Sequence, residues 1–429
     1  MPASLSDTKS AELYARALQR LPGGVNSPVR AMRAIGRDPI FIDRAEGAEI
    51  VDVDGNRYVD FVCSWGPLIH GHANPEILDA VHTAAARGTT FGAPTVGEIE
   101  LAEEVARRIA SVPMLRMTSS GTEAAMSAVR LARAATGREK LLKFAGAYHG
   151  HLDGLLAEAG SGLATAALPS SPGVPASATA NTIVVPWNDG EAVVAACAEH
   201  DFAALLAEPY PANMGLVEPH EGFLDLLRNQ ATANGALLVF DEVITGFRVG
   251  PGGAQERSGI APDLTVLGKV IGGGLPAAAY GGSAALMNLV APAGDVYQAG
   301  TLSGNPLAVA AGLQSLRMLD QQAYLRLGSI TEAMATGLRD AAASAGVGVQ
   351  VVSVPGLFTV FFSDEPVHDY AGAKACDTEA YAAWCRALLA RGVFPPASQF
   401  EAWFPSLAHT REHLDRALDA AAAAFSDVA

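Results

Sequence analysis

"VFDEVITGFRVG", residues 239–250, runs from a short apolar strand straight into two carboxylates, and "LTVLGKVIGGGLP", residues 264–276, runs in the same way into a lysine. Asp241 and Lys269 stand 28 residues apart. That separation suits one strand–helix–strand unit, with both side chains reaching the same crevice beyond the carboxyl ends of the strands. Lys269 lies in a run that is otherwise apolar or glycine, where a lysine must snorkel to water or do chemistry. A Walker phosphate loop fits poorly. Its glycines precede the lysine and a Ser or Thr follows, whereas Val270 follows Lys269 and Gly272, Gly273 and Gly274 come after. The other reading is an amine whose pKa is lowered by burial, by up to roughly 3–5 units, and which condenses with a carbonyl. The three glycines would then let the backbone turn sharply and approach a ligand. Asp241 is either a capping or surface aspartate or the partner of a buried cation, and a protonated pyridine nitrogen is one such cation.

Outward from this pair the pattern repeats. Between about residues 97 and 315, short apolar segments ("MLRMT", "KLLKF", "TIVVP", "AALLAEP", "ALLVFDEV", "LTVLGK") alternate with helical or loop segments. This predicts an α/β domain around a mostly parallel sheet. Before it, a helical stretch near residues 11–21 leads into the turn-rich "PGGVNSPVRAM", and "AEIVDVDGNRYVDF" reads as a hairpin turning at Asp54-Gly55. After it, the strand pair "VGVQVVSV" and "LFTVFFS" and the helical "TEAYAAWCRALLARG" and "REHLDRALDAAAAAF" predict a smaller α+β domain packed with the N-terminal segment. The expected division is residues 1–65 for the N-terminal segment of the small domain, 66–315 for the large domain and 316–429 for the C-terminal α+β domain. No internal repeat is evident. "AGSGLATAALPSSPGVPASATAN", residues 159–181, interrupts the rhythm and reads as a lid or a disordered insertion.

Composition narrows the function. Of 429 residues, 50% are hydrophobic and 17% charged, so a large core is available. A net charge of −16 argues against nucleic acid and anionic membrane surfaces, and requires local positive groups for any anionic ligand. Cys63, Cys197, Cys376 and Cys385 have no CxxC spacing and read as reduced thiols. No signal-peptide core or membrane-length apolar run is seen, so a cytoplasmic protein is expected.

The other strand ends supply candidates. In "TSSGTEAAMSAVRLARAATG", residues 118–137, a strand ends and Ser119-Ser120-Gly121-Thr122 opens a helix, which is either an ordinary N-cap box or a phosphate cradle of free N–H groups. "GTLSGNPLAVAAGL", residues 300–313, has Asn305 as a cap and Pro306 in the first turn, preceded by Thr301 and Ser303. In "FAGAYHGHLDG", residues 144–154, Tyr148 could stack on a flat ring. His149 and His151 could ligate a metal, but no third ligand stands out, and no metal is expected.

Together these residues resemble the fold-type I pyridoxal phosphate enzymes of the class III aminotransferase group, whose signature is "DEVITGFR" followed by "LGKVIGGGLP". "PGGVNSPVRAM", "SSGTEAAMSAVRLARAATGREK", "AYHGHLDGLLAEAGSG", "PANMG", "VYQAGTLSGNP" and "SLAHT" are similar to the branch that isomerises glutamate 1-semialdehyde to 5-aminolevulinate for tetrapyrrole formation. The resemblance implies a cofactor alternating between pyridoxal 5'-phosphate and pyridoxamine 5'-phosphate. It implies Lys269 as the imine-forming lysine and proton shuttle, and Asp241 as the pyridinium partner. Val243 is implied on the ring face, Gly121 and Thr122 in the phosphate cradle, and Tyr148 as the stacking aromatic. Thr301 is implied to serve the neighbouring subunit's phosphate, hence a homodimer with shared sites. Ser27 and Arg30 match the pair that holds the substrate carboxylate, Glu401 matches an active-site acid, and residues 159–181 match a mobile lid.

The implied reaction moves an amino group within one molecule, so an enclosed site and a clamped carboxylate are needed to retain the intermediate. One rival is an ω-aminotransferase using an external amino donor, which would share Lys269 and Asp241. Another is a cofactor-binding regulator without turnover, for which no basic stretch or helix-turn-helix signal is present.

Overall fold

The computed structural model describes residues 5–157 and 171–429. Its centre is a seven-stranded sheet of β4 (Met114–Thr118), β5 (Lys140–Phe144), β6 (Thr182–Val185), β7 (Phe202–Ala207), β8 (Leu237–Glu242), β9 (Leu264–Leu267) and β10 (Ala278–Gly282), ordered β4-β10-β9-β8-β7-β5-β6. The pairs β5–β6, β5–β7, β7–β8 and β8–β9 are parallel. Only β10 runs against its neighbours β4 and β9. Six of these strands coincide with the apolar segments read from the sequence. The seventh, β10, is built from Ala, Tyr and Gly and lacks the β-branched signature of a strand.

Successive residues of the strands feed different cores, as the pleat requires. Leu142, Phe144, Leu238 and Phe240 join an aromatic cluster with Trp187 and Phe223. Leu141, Val239 and Val266 join an Ala-rich cluster on the other face. The helix Gly121–Thr136 fills that second face with Ala124, Ala125, Ala128, Val129, Leu131 and Ala132. Its small side chains let helix and sheet approach closely, and Gly137, at φ +68°, ends it.

A four-stranded sheet of β1 (Ile42–Glu46), β2 (Glu49–Asp52), β3 (Arg57–Asp60) and β13 (Val393–Phe394) joins the two ends of the chain, because β13 pairs parallel with β3. The β2–β3 hairpin turns where expected, with Asp52 accepting the N–H groups of Asp54 and Asn56 at 3.0 and 2.8 Å. The separate hairpin β11 (Gln350–Val354) and β12 (Leu357–Phe361) lies in the C-terminal part. Met32, Ile35, Tyr58 and Phe61 share one core with Met334, Trp384, Trp403 and Phe425. The first helix is Thr8–Ala17, a little earlier than the apolar spacing suggests. All four cysteines are free. No helix of the described residues is long and apolar enough to cross a membrane.

Among the glycines after Lys269, Gly273 serves packing. Gly273 has φ +56°, and a Cβ there would come within 2.4 Å of the Ala311 carbonyl, while one on Gly312 would meet the Ile271 carbonyl. The helix Pro306–Arg317 thus lies backbone to backbone against the turn Lys269–Gly272.

Candidate active site

Five parallel strands deliver their following residues to one edge of the sheet. Asp241 is the penultimate residue of β8 and sits across from Val266 of β9, and Lys269 follows β9 by two residues. Pleating sends Asp241 and Glu242 to opposite faces. Glu242, fully buried, accepts from Thr245, Ala254 and Gln255 and so fixes the crossover helix Gly253–Ser258. Asp241 faces the site. Its Oδ2 lies 2.7 Å from His149 Nδ1 and its Oδ1 accepts the Val243 N–H at 3.1 Å. Both Asp241 and His149 are buried, and His149 Nε2 has no partner among the described residues. His149, weighed from sequence as a metal ligand, instead pairs with Asp241. No cluster of His, Cys, Asp and Glu that could hold a metal occurs among the described residues.

The segment after β5 carries Tyr148, His149 and His151 in irregular backbone. Two buried groups hold it. Lys143 donates to the carbonyls of Ala147, Leu155 and Ala157 at 3.2, 3.2 and 2.9 Å. Glu208, which follows β7, accepts the Tyr148 N–H at 2.8 Å together with Ala212 N–H and Asn213 Nδ2. Burial pushes the Glu208 carboxyl above the ordinary range, against the His149 charge and these hydrogen bonds. Burial also raises the Tyr148 phenol, which a hydrogen bond with Thr122 counters.

At the end of β4, Ser120 caps the helix and the Glu123 carboxylate accepts the Ser119 N–H at 2.7 Å. The Gly121 and Thr122 N–H groups, next in line, make no hydrogen bond within the described residues. Thr122 Oγ1 lies 3.1 Å from His151 Nδ1. Val243 packs between two glycines: a Cβ on Gly121 would come within 3.2 Å of it, and one on Gly268 within 3.1 Å. Val243 thus stands between the helix start at Gly121 and the Gly268 that precedes Lys269, two residues on from Asp241.

Lys269 has a left-handed backbone, φ +49°, and its Nζ stands 5.8 Å from the Phe404 ring centroid. Desolvation lowers its pKa from 10.5 to about 8, against the pull of Glu401, Glu208 and Asp241 and with a small further push from Arg248. Glu401 is therefore part of this cluster. Gly66 and Phe404 flank the lysine stem, since a Cβ on Gly66 would come within 3.3 Å of Lys269 Cδ and 2.9 Å of Phe404 Cε1.

Ser27 precedes the short turn Pro28–Ala31, and Arg30 in that turn lines a cavity of about 460 Å³ with Asp60, Ser64, Trp65, His72 and Phe394. No carboxylate lies within ion-pair distance of Arg30 among the described residues. The cavity wall Ser64–Trp65 runs directly into Gly66 beside Lys269, which is how the arginine and lysine regions adjoin. Thr301 is not drawn into the cluster: it stands exposed in the turn before the helix Pro306–Arg317. Of the proposed lid, residues 159–170 lie outside the described residues, and 171–181 form a turn and the short helix Ala176–Thr179.

Sequence reasoning missed Glu208, His149 as a carboxylate partner, Phe404 and the turn Cys63–Gly66. Glu208 was accessible to the same rule that found Asp241, since it follows "AALLA" at the sheet's carboxyl edge. The turn had no signal. Cys63, Ser64 and Trp65 are consecutively left-handed at φ +45°, +58° and +67°, a conformation these residue types do not announce.

The chain matches the family model described as aminotransferase class-III over residues 32–425. It is 55% identical over 420 residues to the glutamate-1-semialdehyde 2,1-aminomutase of Desulforudis audaxviator (strain MP104C), covering 97% of each chain. Among solved structures it is similar to an ω-transaminase from Sphaerobacter thermophilus, with TM-score 0.91, 34% identity and 97% of each chain covered. It is also similar to a glutamate-1-semialdehyde-aminomutase variant from Pseudomonas aeruginosa PAO1 solved in complex with PMP, with TM-score 0.87, 28% identity, and 98% of this chain and 95% of that one covered. The chain belongs to the class III aminotransferase family.

Proposed function

We propose that this chain is a glutamate-1-semialdehyde 2,1-aminomutase, a pyridoxal-phosphate-dependent isomerase that yields 5-aminolevulinate. The observation that carries the reading is the 55% identity to an aminomutase across 97% of the chain, against 34% to the ω-transaminase. The fold is common to both and does not separate them. The local chemistry supports the cofactor: free N–H donors at a helix start for a phosphate, a valine packed against Gly121 and Gly268, and a buried carboxylate for a ring nitrogen.

When bound, the cofactor supplies an exchangeable amino group and a ring that takes up electrons. Gly121 and Thr122 would hold its phosphate, Val243 and Tyr148 would bound the ring, and Asp241, oriented by His149, would keep the ring nitrogen protonated. Lys269 takes and returns protons at its ε-nitrogen, and its lowered pKa leaves much of it neutral near pH 8. Arg30, with Ser27 beside it, receives the substrate carboxylate in a bidentate contact and supplies local positive charge in an acidic protein. Glu401 bears on the Lys269 charge.

The second subunit enters through Thr301. The segments holding Phe91, Val96 and Ile99 and those holding Tyr297 and Leu302 are joined by the Asn305 Nδ2 to Thr89 carbonyl bond, and these five side chains are exposed. This apolar surface supports a homodimer in which Thr301 serves the partner's phosphate site.

The deciding experiment supplies glutamate 1-semialdehyde with no amino donor and identifies the product. Conversion to 5-aminolevulinate is expected. An absolute requirement for an added amine would transfer the chain to the ω-aminotransferases.

A further inference from the structure

Arg248, the last residue of "DEVITGFR", is 0% exposed. Among the described residues it has no carboxylate within ion-pair distance. Its Nη1 donates to the carbonyls of Gly356 and Pro405 at 3.1 Å each, its Nη2 donates to the Gly66 carbonyl, and its Nε has no partner among the described residues. A buried cation satisfied only by carbonyls is costly, and an apolar side chain would pack such a site at lower cost. The three carbonyls come from three separate segments: the left-handed turn Cys63–Gly66, the turn between β11 and β12, and the residue after Phe404. Two of them adjoin the walls of the Lys269 stem, Gly66 itself and Phe404. The Phe404 ring lies 5.3 Å from Arg248 Cζ and 5.8 Å from Lys269 Nζ.

We propose that Arg248 is a positioning residue for the reaction: it latches the Cys63–Gly66 turn and Phe404 against the stem of Lys269 and so fixes where that amine sits. The proposal rests on Lys269 being the reacting amine. A second consequence follows from charge. The two cations lie within the sum of their distances to the ring, about 11 Å, so Arg248 opposes protonation of Lys269. Glu401, Glu208 and Asp241 act on Lys269 in the other direction. Around Arg248 itself, Cys63 and Tyr324 favour its charge, while burial brings its pKa down to about 10. His70 is a further neighbour, whose own pKa is lowered chiefly by burial and slightly by the Arg248 charge.

The test compares Arg248→Gln and Arg248→Lys with the parent, as full-length chains freed of cofactor. Acylation of Lys269 is followed by peptide mass mapping across pH, and amide exchange is followed at Trp65 and Gly66. Loss of the charge in Arg248→Gln raises the labelling midpoint slightly, by about 0.3 pH unit, in keeping with the small share Arg248 has in the Lys269 shift. Arg248→Lys, which keeps the charge, leaves the midpoint in place. Both variants exchange Trp65 and Gly66 at least roughly tenfold faster, because the Gly66 carbonyl loses its donor geometry. An unchanged midpoint with unchanged exchange in Arg248→Gln overturns the proposal, even if thermal stability falls, since Arg248 would then be packing alone. If Arg248→Gln does not fold, Arg248→Lys decides: parental exchange rates at Trp65 and Gly66 overturn the latch. None of these readouts uses substrate, so their failure leaves the aminomutase reading intact, and a donor requirement in the assay above leaves these outcomes intact.

Discussion

Lys269 is pulled in two directions, and which one wins sets its chemistry. Three carboxylates favour its protonated form, yet desolvation outweighs them and leaves the pKa near 8 rather than 10.5. In the cofactor-free chain the amine therefore becomes reactive as pH rises through about 8, and the rate of cofactor recapture rises with it before levelling off; stopped-flow absorbance against pH reads this directly. Stability carries the same signature. An unfolded lysine keeps its proton up to its ordinary 10.5 while the folded one loses it near 8, so unfolding takes up protons in that window. The Lys269 contribution to apo stability thus rises from pH 8 to 10.5, and Lys269→Met flattens that rise in urea titrations. In the loaded enzyme, Lys269→Ala lowers kcat by roughly a hundred- to ten-thousandfold, the range expected for a lost proton-transfer group. The His149→Phe variant removes the hydrogen-bond partner of a buried carboxylate, at a cost of about 1–3 kcal/mol, and weakens cofactor retention measured by dialysis. Asp241 and Lys269 were legible because each stands at or just past the carboxyl end of a strand, where this architecture puts ligands. His149 was visible only as a histidine, since its partner is 92 positions away.

Elements were legible in proportion to how much of their cause is local. The helix Gly121–Thr136 has its cap, its capping carboxylate and its terminal glycine in one stretch, and could be read whole. Strand β10 could not, because its reason lies in its neighbours. Between β4 and β9, a Cβ on Gly281 would come within 2.5 Å of Val112 Cγ1 and 2.6 Å of the Met114 carbonyl. Gly281→Ala therefore costs about 1–3 kcal/mol through overpacking against backbone that cannot yield. Gly328→Ala, in the helix Gln321–Ala345, meets only Pro355 Cβ at 4.0 Å and gains about 0.4–1 kcal/mol by restricting the unfolded chain. Denaturant unfolding of the two variants separates the effects by sign. The turn Cys63–Gly66 is the opposite extreme to the helix. Asp60 accepts the Val62 and Cys63 N–H groups at one end and Arg248 holds Gly66 at the other, so a conformation that its residues disfavour is imposed from outside.

At the scale of the whole molecule, the site described here lacks one component that the family resemblance implies, because Thr301 stands exposed in the turn before the helix Pro306–Arg317. Phe91, Val96, Ile99, Tyr297 and Leu302 are 53%, 71%, 61%, 71% and 53% exposed, an unusual expense of apolar area for a chain of net charge −16 unless a second copy covers it. In the proposed two-fold dimer, the Thr301 of each protomer would serve the other's phosphate, whereas Lys269 would serve its own site. Mixing two defective chains tests this without any interface mutation. A heterodimer of Lys269→Ala and Thr301→Val carries both lesions in one site and neither in the other. Co-expression with separate affinity tags and isolation of the mixed species then restores about half of the parental activity, although each homodimer is impaired. If threonine and lysine served the same chain's site, every site in the mixture would carry one lesion, and activity would stay at the average of the two homodimers. Sedimentation of Leu302→Glu supplies the structural counterpart: it shifts the chain towards monomer, and cofactor retention falls together with the dimer fraction.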